Sequence, residues 1–97
     1  MLSAECKARL GRNLLRARKQ AGMSQETVAV RAGLHRTEIG LLERAERIPK
    51  IDTLVKVAGA MSVSPDQLLQ GITWEPAITT KGEFRVSAPS QPETANN

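Results

Sequence analysis

The sequence predicts an all-α domain of five short helices, followed by a short extended arm or β-hairpin. Apolar residues in the first 71 positions recur mostly at spacings of three and four, the period of an amphipathic helix. Ser and Gly residues bracket these segments as helix caps and stops. After Gly71 the composition shifts to β-branched and aromatic residues, which favour strands. We therefore divide the 97 residues into a helical domain (1–71), an arm or hairpin (72–87) and a polar tail (88–97) that we expect to be disordered.

The first helix is expected between Ser3 and Ala21, with Gly22 as its stop. Its apolar residues have spacings of four, three and four: Leu10, Leu14, Ala17 and Ala21. At about 100° per residue, the opposite side carries four cations, which we interpret as a solvated face: Arg9, Arg12, Arg16 and Lys19. Of these, only Arg12 or Arg16 is a candidate for a phosphate contact.

Cap and turn residues predict where the next three helices begin and end. Ser24 is a favourable N-cap for the second helix, which is predicted to end at Gly33. The third helix is predicted from about His35 or Arg36 to Arg44. The fourth is predicted from about residue 51 or 52 to Met61, after a break at Pro49.

The fifth helix and the arm follow from the segments around residues 64–71 and 72–86. Ser64 is a predicted N-cap, Pro65 suits the first helical position, and Gln67 stands where a capping box needs it. Gly71 is the predicted stop. In the arm, the pair Lys81-Gly82 can turn the chain into a hairpin.

The charge distribution favours a polyanionic partner for the amino-terminal half. Residues 1–50 hold eleven Lys or Arg and five Asp or Glu, a net charge of +6, whereas residues 51–97 hold three and five, a net charge of −2. Nucleic acid is the partner that such asymmetry most often indicates, although a solvated positive face would give the same charge. With one Trp, one Phe and no Tyr, stacking on single-stranded bases is not expected.

The composition argues against several other classes of protein. Cys6 is the single cysteine, which excludes an intrachain disulfide, and one Cys with one His (His35) does not predict a metal site. No nucleophile has a base and an orienting partner, so we expect neither an enzyme nor a cofactor. The lack of a bilayer-length apolar run or a signal peptide predicts a soluble, cytoplasmic protein without a membrane partner.

The second and third helices meet at "AGLH", where Gly33 allows the sharp turn of a helix-turn-helix unit. In the third helix, Ile39 and Leu42 point one way, toward the core. The opposite half carries Arg36, Thr37, Gly40, Leu41 and Arg44.

The first residues of that outward half are candidates for reading DNA bases. Arg36 and Thr37 lie at the helix start, from which recognition helices contact the major groove. Arg can donate twice to guanine, and the Thr methyl can contact a thymine methyl. Leu41 would add an apolar contact. Gly40 would let the helix sit deeper in the groove, or would instead ease helix packing.

From about residue 8 to residue 71 the chain resembles the Cro and phage-repressor type of helix-turn-helix protein, also called the XRE family. The matching segments are "R..AGMSQ", "AGL", "I..LE", "P..DTL" and "A.A..VS...LL". A match spread over five helices is more specific than a lone turn motif. The resemblance implies a lambda-repressor-like fold and a regulator that binds double-stranded DNA.

The resemblance also implies roles for single residues. Gln25, with its neighbour Ser24, occupies the position at which family members bind a DNA phosphate, and Arg18 and Glu43 match a pair that joins the first helix to the third. Four further residues are candidate phosphate contacts: His35, Arg44, Arg47 and Lys50. Family members commonly have Gly or Asn where this chain has Ala45, so either the following loop takes another path or the third helix runs longer.

Dimerisation is expected because one recognition helix reads only a few base pairs, and two helices about 34 Å apart double that number on a palindromic operator. The predicted interface consists of apolar residues that otherwise lack a partner: Leu68, Leu69, Ile72, Trp74, Phe84 and Val86. Trp74 and Phe84 would contact each other within the chain or across the dimer. We expect no small-molecule effector, and a protein partner remains open. The alternative function is a protein-interaction adaptor with the same fold and no base reading.

Overall fold

The computed structural model describes residues 2–87, so the predicted disorder of 88–97 concerns residues outside the described part of the chain. Its order is five helices and two strands: α1 (Ala4–Gln20), α2 (Gln25–Ala32), α3 (Arg36–Glu43), α4 (Ile51–Ala60), α5 (Pro65–Leu68), β1 (Ile72–Glu75) and β2 (Glu83–Val86). The two strands pair antiparallel. The predicted fold class is therefore confirmed, and the arm is a hairpin.

The core lies where the five helices meet, and every helix contributes to it. Each helix buries a large aliphatic side chain that is at most 1% exposed: Leu14, Val28, Ile39, Val57 and Leu68. These residues occupy the apolar positions of the amphipathic pattern. Their burial is the main stabilising contribution to such a domain.

Ser64 is the N-cap residue of α5 and Pro65 its first residue, as predicted, but of the three serine N-caps only those of α1 and α2 form a side-chain cap hydrogen bond. The Ser3 hydroxyl accepts a hydrogen bond from the Cys6 amide (3.2 Å), and the Ser24 hydroxyl accepts one from the Thr27 amide (3.0 Å). The capping box predicted at Ser64 does not form, because its hydroxyl accepts no amide hydrogen bond; the hydroxyl donates to the carboxylate of Asp66 instead.

The structure decides the path of the chain at Ala45. Glu43 is the last residue of α3, and Ala45 adopts a left-handed conformation (φ 62°). Its amide donates to Leu42 O (3.2 Å), and the Glu46 amide donates to Leu41 O (2.9 Å). This is the hydrogen-bond pattern of a Schellman cap, normally completed by Gly. Both alternatives from the sequence, a different path and a longer helix, are therefore wrong.

Arg9 corrects the expectation that all four cations of α1 face solvent. Its side chain is buried (6% exposed), with Nη2 2.5 Å from Ser87 O and Nη1 3.4 Å from Gln70 O. One turn further, Asn13 Nδ2 donates to Leu68 O and Gln70 O, both at 2.9 Å. These side chains fasten the α5–β1 junction and the end of β2 to α1. Ala21, expected on the buried stripe, is exposed because it lies beyond the last helical residue.

The hairpin packs on the amino-terminal half of α1. Trp74 pairs with Phe84 across the strands, and their rings meet edge-on at a centroid distance of 5.1 Å. That contact therefore forms within the chain. The connection is the seven-residue loop 76–82, with Lys81-Gly82 at its end rather than as a two-residue turn. Gly82 is required there, because a Cβ would lie 2.6 Å from Trp74 Cζ2.

Candidate nucleic-acid interface

The helix-turn-helix unit consists of α2, a three-residue turn (33–35) and α3. Gly33 makes the turn in a left-handed conformation (φ 72°), and the Leu34 amide donates to Ala29 O (2.8 Å). Leu34 itself packs against the core. The turn therefore fixes the direction in which α3 leaves α2.

Gly11 allows α1 to approach the end of α3 closely. A Cβ at Gly11 would lie 2.6 Å from Glu43 O and 2.9 Å from Leu42 O, and both atoms belong to the backbone. The sequence reasoning missed this residue. The available signal was a Gly inside a long helix, which lowers helix stability by about 1 kcal/mol relative to Ala and so calls for a packing reason.

An ion pair and an amide join α1, α2 and α3 at one point. Arg18 Nε and Nη2 donate to Glu43 Oε2 and Oε1 at 2.6 and 3.1 Å, and Gln25 Nε2 donates to Glu43 Oε1 at 2.9 Å. Arg18 Nη1 also donates to Met23 O (2.9 Å). The contact between Arg18 and Glu43 that the resemblance implies is present, and its bidentate, mostly buried geometry fixes the orientation of α3.

The same network changes how Gln25 would contact a phosphate. Its side-chain nitrogen is directed at Glu43, which leaves one amide N–H for an outside acceptor. The amides of Thr27 and Val28 already donate to Ser24, whereas those of Gln25 and Glu26 have no acceptor within residues 2–87 and point at any anion placed there. Ser24 lies at the same end, exposed, with its oxygen already accepting from Thr27.

The start of α3 presents its predicted base-reading residues to solvent. Arg36 and Thr37 are exposed in the first helical turn, and Leu41 is partly exposed one turn later. Within residues 2–87, Arg36 forms no salt bridge. His35 is the N-cap residue, exposed and without a side-chain cap hydrogen bond. Arg36, Thr37 and His35 therefore stand free at the end of α3 that points outward.

Gly40 is covered by Arg44 rather than by another helix. A Cβ at Gly40 would lie 2.9 Å from Arg44 Nη1, and the three nearest atoms all belong to that guanidinium. No atom of a neighbouring element lies closer than these, so packing against another helix does not explain this Gly. Because the covering group is the end of a flexible side chain, Gly40 remains a candidate for close approach to DNA.

Two of the four predicted phosphate contacts are paired with carboxylates. Arg44 Nε lies 3.1 Å from Glu46 Oε2, and Arg47 Nη1 lies 2.6 Å from Glu38 Oε1. The sequence reasoning gave Glu38 and Glu46 no role. Exposed pairs of this kind contribute about 0–1 kcal/mol, so a DNA phosphate can replace either carboxylate.

A groove runs between α3 and the start of α4, beside the predicted base readers. Its lining includes His35, Thr37, Leu41, Arg47 and Lys50. The structure thus brings base-reading and phosphate-binding candidates to one surface.

The predicted dimer interface is wrong at Leu68. That side chain is 0% exposed and belongs to the core, so it cannot touch another molecule while the domain is folded. Ile72 packs against the core as well. Leu69 and Trp74 are exposed, while Phe84 and Val86 are partly buried.

Two observations concern other classes of site. Among residues 2–87, no three His, Cys, Asp or Glu side chains are placed to hold a metal ion. In the same part of the chain, no helix is both long and apolar enough to cross a membrane.

Comparison with known proteins agrees with this geometry. The helix-turn-helix family model matches residues 14–68. The control protein C.SmaI of Serratia marcescens is 42% identical over 60 residues, which are 62% of this chain and 71% of that protein. The crystal structure of the restriction-modification controller protein C.AhdI of Aeromonas hydrophila is similar at 34% identity and a TM-score of 0.63, covering 64% of this chain and 94% of that one.

A third similarity is to the P22 c2 repressor, solved in complex with a synthetic operator. It has 29% identity and a TM-score of 0.60, and covers 64% of this chain and 94% of the repressor chain. The chain therefore belongs to the helix-turn-helix family, as an XRE-type DNA-binding transcriptional regulator. The family match ends at residue 68, so the hairpin lies outside it.

Proposed function

We propose that this protein is a sequence-specific regulator that binds double-stranded DNA as a homodimer, with α3 in the major groove of each half of a palindromic operator. The observation that carries the proposal is the free, outward-facing first turn of α3, where Arg36 and Thr37 have no competing partner within residues 2–87. Recognition helices read bases from this end.

The specific contacts follow from the chemistry of the two side chains. Arg36 can donate two hydrogen bonds to guanine O6 and N7, and the Thr37 methyl can contact a thymine methyl. Leu41 adds an apolar contact one turn later. Gly40 has no side chain on the same face of α3. The guanidinium of Arg44, which covers Gly40, can move away to bind a phosphate.

Contacts to the sugar-phosphate backbone surround this reading face. The first turn of α2 at Ser24 and Gln25 would bind one phosphate through backbone N–H groups. His35, Arg44, Arg47 and Lys50 would bind others, after Arg44 and Arg47 exchange their carboxylates for phosphate oxygens. Such contacts position the protein without specifying sequence.

Regulation would then depend on the concentration of the protein, on cooperativity along DNA, or on a protein partner. The similarity to control proteins and to a phage repressor is compatible with both activation and repression. We place the protein in the cytoplasm, where its DNA is, and assign it no catalytic activity.

Selection of bound duplexes from a random pool tests the proposal. We expect one enriched palindromic sequence with affinity about 10³-fold or more above random DNA. Weak, salt-sensitive binding with no enriched sequence would contradict the proposal and would support a protein-interaction adaptor instead.

A further inference from the structure

A cleft between the second halves of α2 and α4 carries two cations and no acid. Its lining consists of Arg31, Ala32, Lys56, Gly59 and Ala60, and we call it the α2–α4 cleft. Arg31 Nε donates to Ala60 O (2.7 Å), which holds the guanidinium against the end of α4. The N–H groups on its Nη1 and Nη2 remain for a further acceptor. Within residues 2–87 neither Arg31 nor Lys56 forms a salt bridge.

Gly59 leaves open space in the α2–α4 cleft. A Cβ at this position would have no atom within 4 Å, so packing inside the domain does not explain the glycine. Its backbone is helical rather than left-handed, so the path of the chain does not require glycine either. A glycine inside a helix costs about 1 kcal/mol relative to alanine and calls for another reason. Room for a molecule outside the domain supplies that reason.

The one acid of α4 does not neutralise the cleft. Asp52 stands one turn before Lys56 in the sequence, but it lines the groove between α3 and the start of α4. Within residues 2–87 it forms no salt bridge with Lys56. The α2–α4 cleft therefore keeps both positive charges, and the group that complements it is an anion.

The cleft is set back from the surface that contacts DNA in the proposed function, and the inference rests on that function here. A phosphate held by the N–H groups at the start of α2 lies on the extension of the helix axis. Arg31 follows Gln25 by six residues, so it lies about 9 Å further along this axis, away from the phosphate. The cleft therefore remains accessible while the protein is on its operator.

We propose that the α2–α4 cleft binds a Glu or Asp side chain of an acidic partner protein while α3 reads the operator. The carboxylate accepts from the free N–H groups of Arg31 and pairs with Lys56, beside the open space at Gly59. A free small anion is held weakly there, because both cations are exposed and screened by salt. A protein adds contact area around the cleft, which makes it the occupant that fits.

Titration of the free full chain with a capped hexaglutamate peptide, followed by heteronuclear NMR, tests the site without DNA. We expect shifts of the Lys56 and Gly59 amides and of the Arg31 Nε–H group, all with one Kd. Capped hexaglutamine is the control for the peptide backbone and should shift none of them. Residues of the reading face are followed separately in the same spectra. No shift at the three cleft residues would overturn the proposal.

Lys56→Glu places a carboxylate of the chain itself beside Arg31. We expect it to raise the Kd of hexaglutamate at the cleft about tenfold, because it replaces an attraction with a repulsion. Lys81→Glu is the matched control, since it makes the same charge change at an exposed position of the hairpin loop. It should leave the Kd within about twofold of the original. An equal rise in both variants would show that net charge attracts the peptide, and the proposal would fail.

Gly59→Leu tests the site without a change of charge. Leucine favours the helix over glycine, so the folded chain should be at least as stable, whereas its side chain fills the open space of the cleft. We expect the Kd of hexaglutamate to rise several-fold, and thermal unfolding by circular dichroism checks the stability. An unchanged Kd in a folded Gly59→Leu chain would contradict the approach of the carboxylate to α4.

Promoter output at equal operator occupancy separates the partner from base reading. In the natural host, Lys56→Glu should occupy the selected operator as fully as Lys81→Glu does, yet transcription from a promoter carrying that operator should change only in Lys56→Glu. The same output from both variants would overturn the partner proposal. A natural protein that selects no sequence from random DNA would instead overturn the proposed function, and the peptide titration would still judge the cleft.

Discussion

Arg36 and Gln25 are expected to contribute to DNA binding in different ways. Arg36 is free at the start of α3, whereas the side chain of Gln25 is held by Glu43. We expect Arg36→Ala to weaken binding to the selected operator by about 1–3 kcal/mol and to relax the preference at one base pair. Gln25→Ala should weaken all DNA sequences alike, because its contact is to a phosphate.

Fluorescence anisotropy on the operator and on its single-base variants measures both effects. Lys19→Ala is the matched control, since it removes an exposed cation of α1 that is not a candidate for a phosphate contact. An equal loss of specificity from Arg36→Ala and Gln25→Ala would contradict the assignment of roles.

Ala45 and Ser62 are two further residues whose backbone conformation can be tested. Both are non-glycine residues in left-handed conformations, with φ of 62° and 59°, at the ends of α3 and α4. That conformation costs an L-residue about 1–2 kcal/mol. We expect Ala45→Gly and Ser62→Gly each to raise the free energy of unfolding by about 1 kcal/mol, after the entropy cost of glycine.

Urea denaturation at a concentration where the protein is monomeric measures these changes. The reverse substitution Gly33→Ala, at φ 72°, should lower stability by a similar amount. No gain at Ala45 or Ser62 would mean that the cap conformation is not strained.

At the scale of elements, Gly11 sets the distance between α1 and α3. Gly11→Ala would place a Cβ against the Glu43 and Leu42 carbonyls, and we expect a loss of about 1–3 kcal/mol as α3 moves away. Gly59→Ala is the matched control, because it too is a helical glycine but lies in open space. It should gain about 1 kcal/mol in the monomer, from helix propensity alone. Equal effects at the two positions would contradict the close approach at Gly11.

Arg9 is the residue that fastens the hairpin to the helical domain. Arg9→Met keeps the apolar part of the side chain but removes the donor to Ser87 O, at a cost of about 1–3 kcal/mol, while Gln70 O keeps its hydrogen bond from Asn13. We expect faster proteolysis of the hairpin and a change in Trp74 fluorescence. Arg12→Met, at an exposed position of the same helix, should change neither. Unaltered proteolysis in Arg9→Met would show that other contacts hold the hairpin.

At the scale of the whole molecule, the acidic residues beside the reading face reduce its attraction for DNA. Glu38 and Glu46 pair with Arg47 and Arg44. We expect the double variant Glu38→Gln/Glu46→Gln to bind random DNA several-fold more tightly, with a steeper dependence of log K on log salt concentration. The hairpin variant Glu75→Gln/Glu83→Gln removes the same charge elsewhere. Equal effects of the two variants would show that net charge, rather than release of Arg44 and Arg47, decides the affinity.

Much of the fold could be predicted because it depends on local physical chemistry. Ser24 as a cap, Gly33 as a turn and the apolar period of each helix act within a few residues, so the sequence is enough to predict them. The exposed start of α3, with Arg36 and Thr37, follows from the same periodicity.

Other features depended on which element packs against which. A hydrophobic period indicates one buried face, but α1 contacts α3 on one side and the hairpin on another, so Arg9 and Gly11 are buried outside the main stripe. Leu68 was expected at a dimer interface because the apolar pattern of a helix shows that a residue is buried, but not whether it is buried in the core of its own domain or against a second molecule.

The sequence by itself determined the helices, the cap at Ser24 and the residues at the start of the recognition helix, since these follow from backbone hydrogen bonding and side-chain period. Only the tertiary structure decided that Ala45 takes a left-handed conformation, that Arg9 fastens the hairpin, and that Leu68 belongs to the core. The physical reason is that burial and strain depend on contacts between residues distant in the chain, and no local pattern records them.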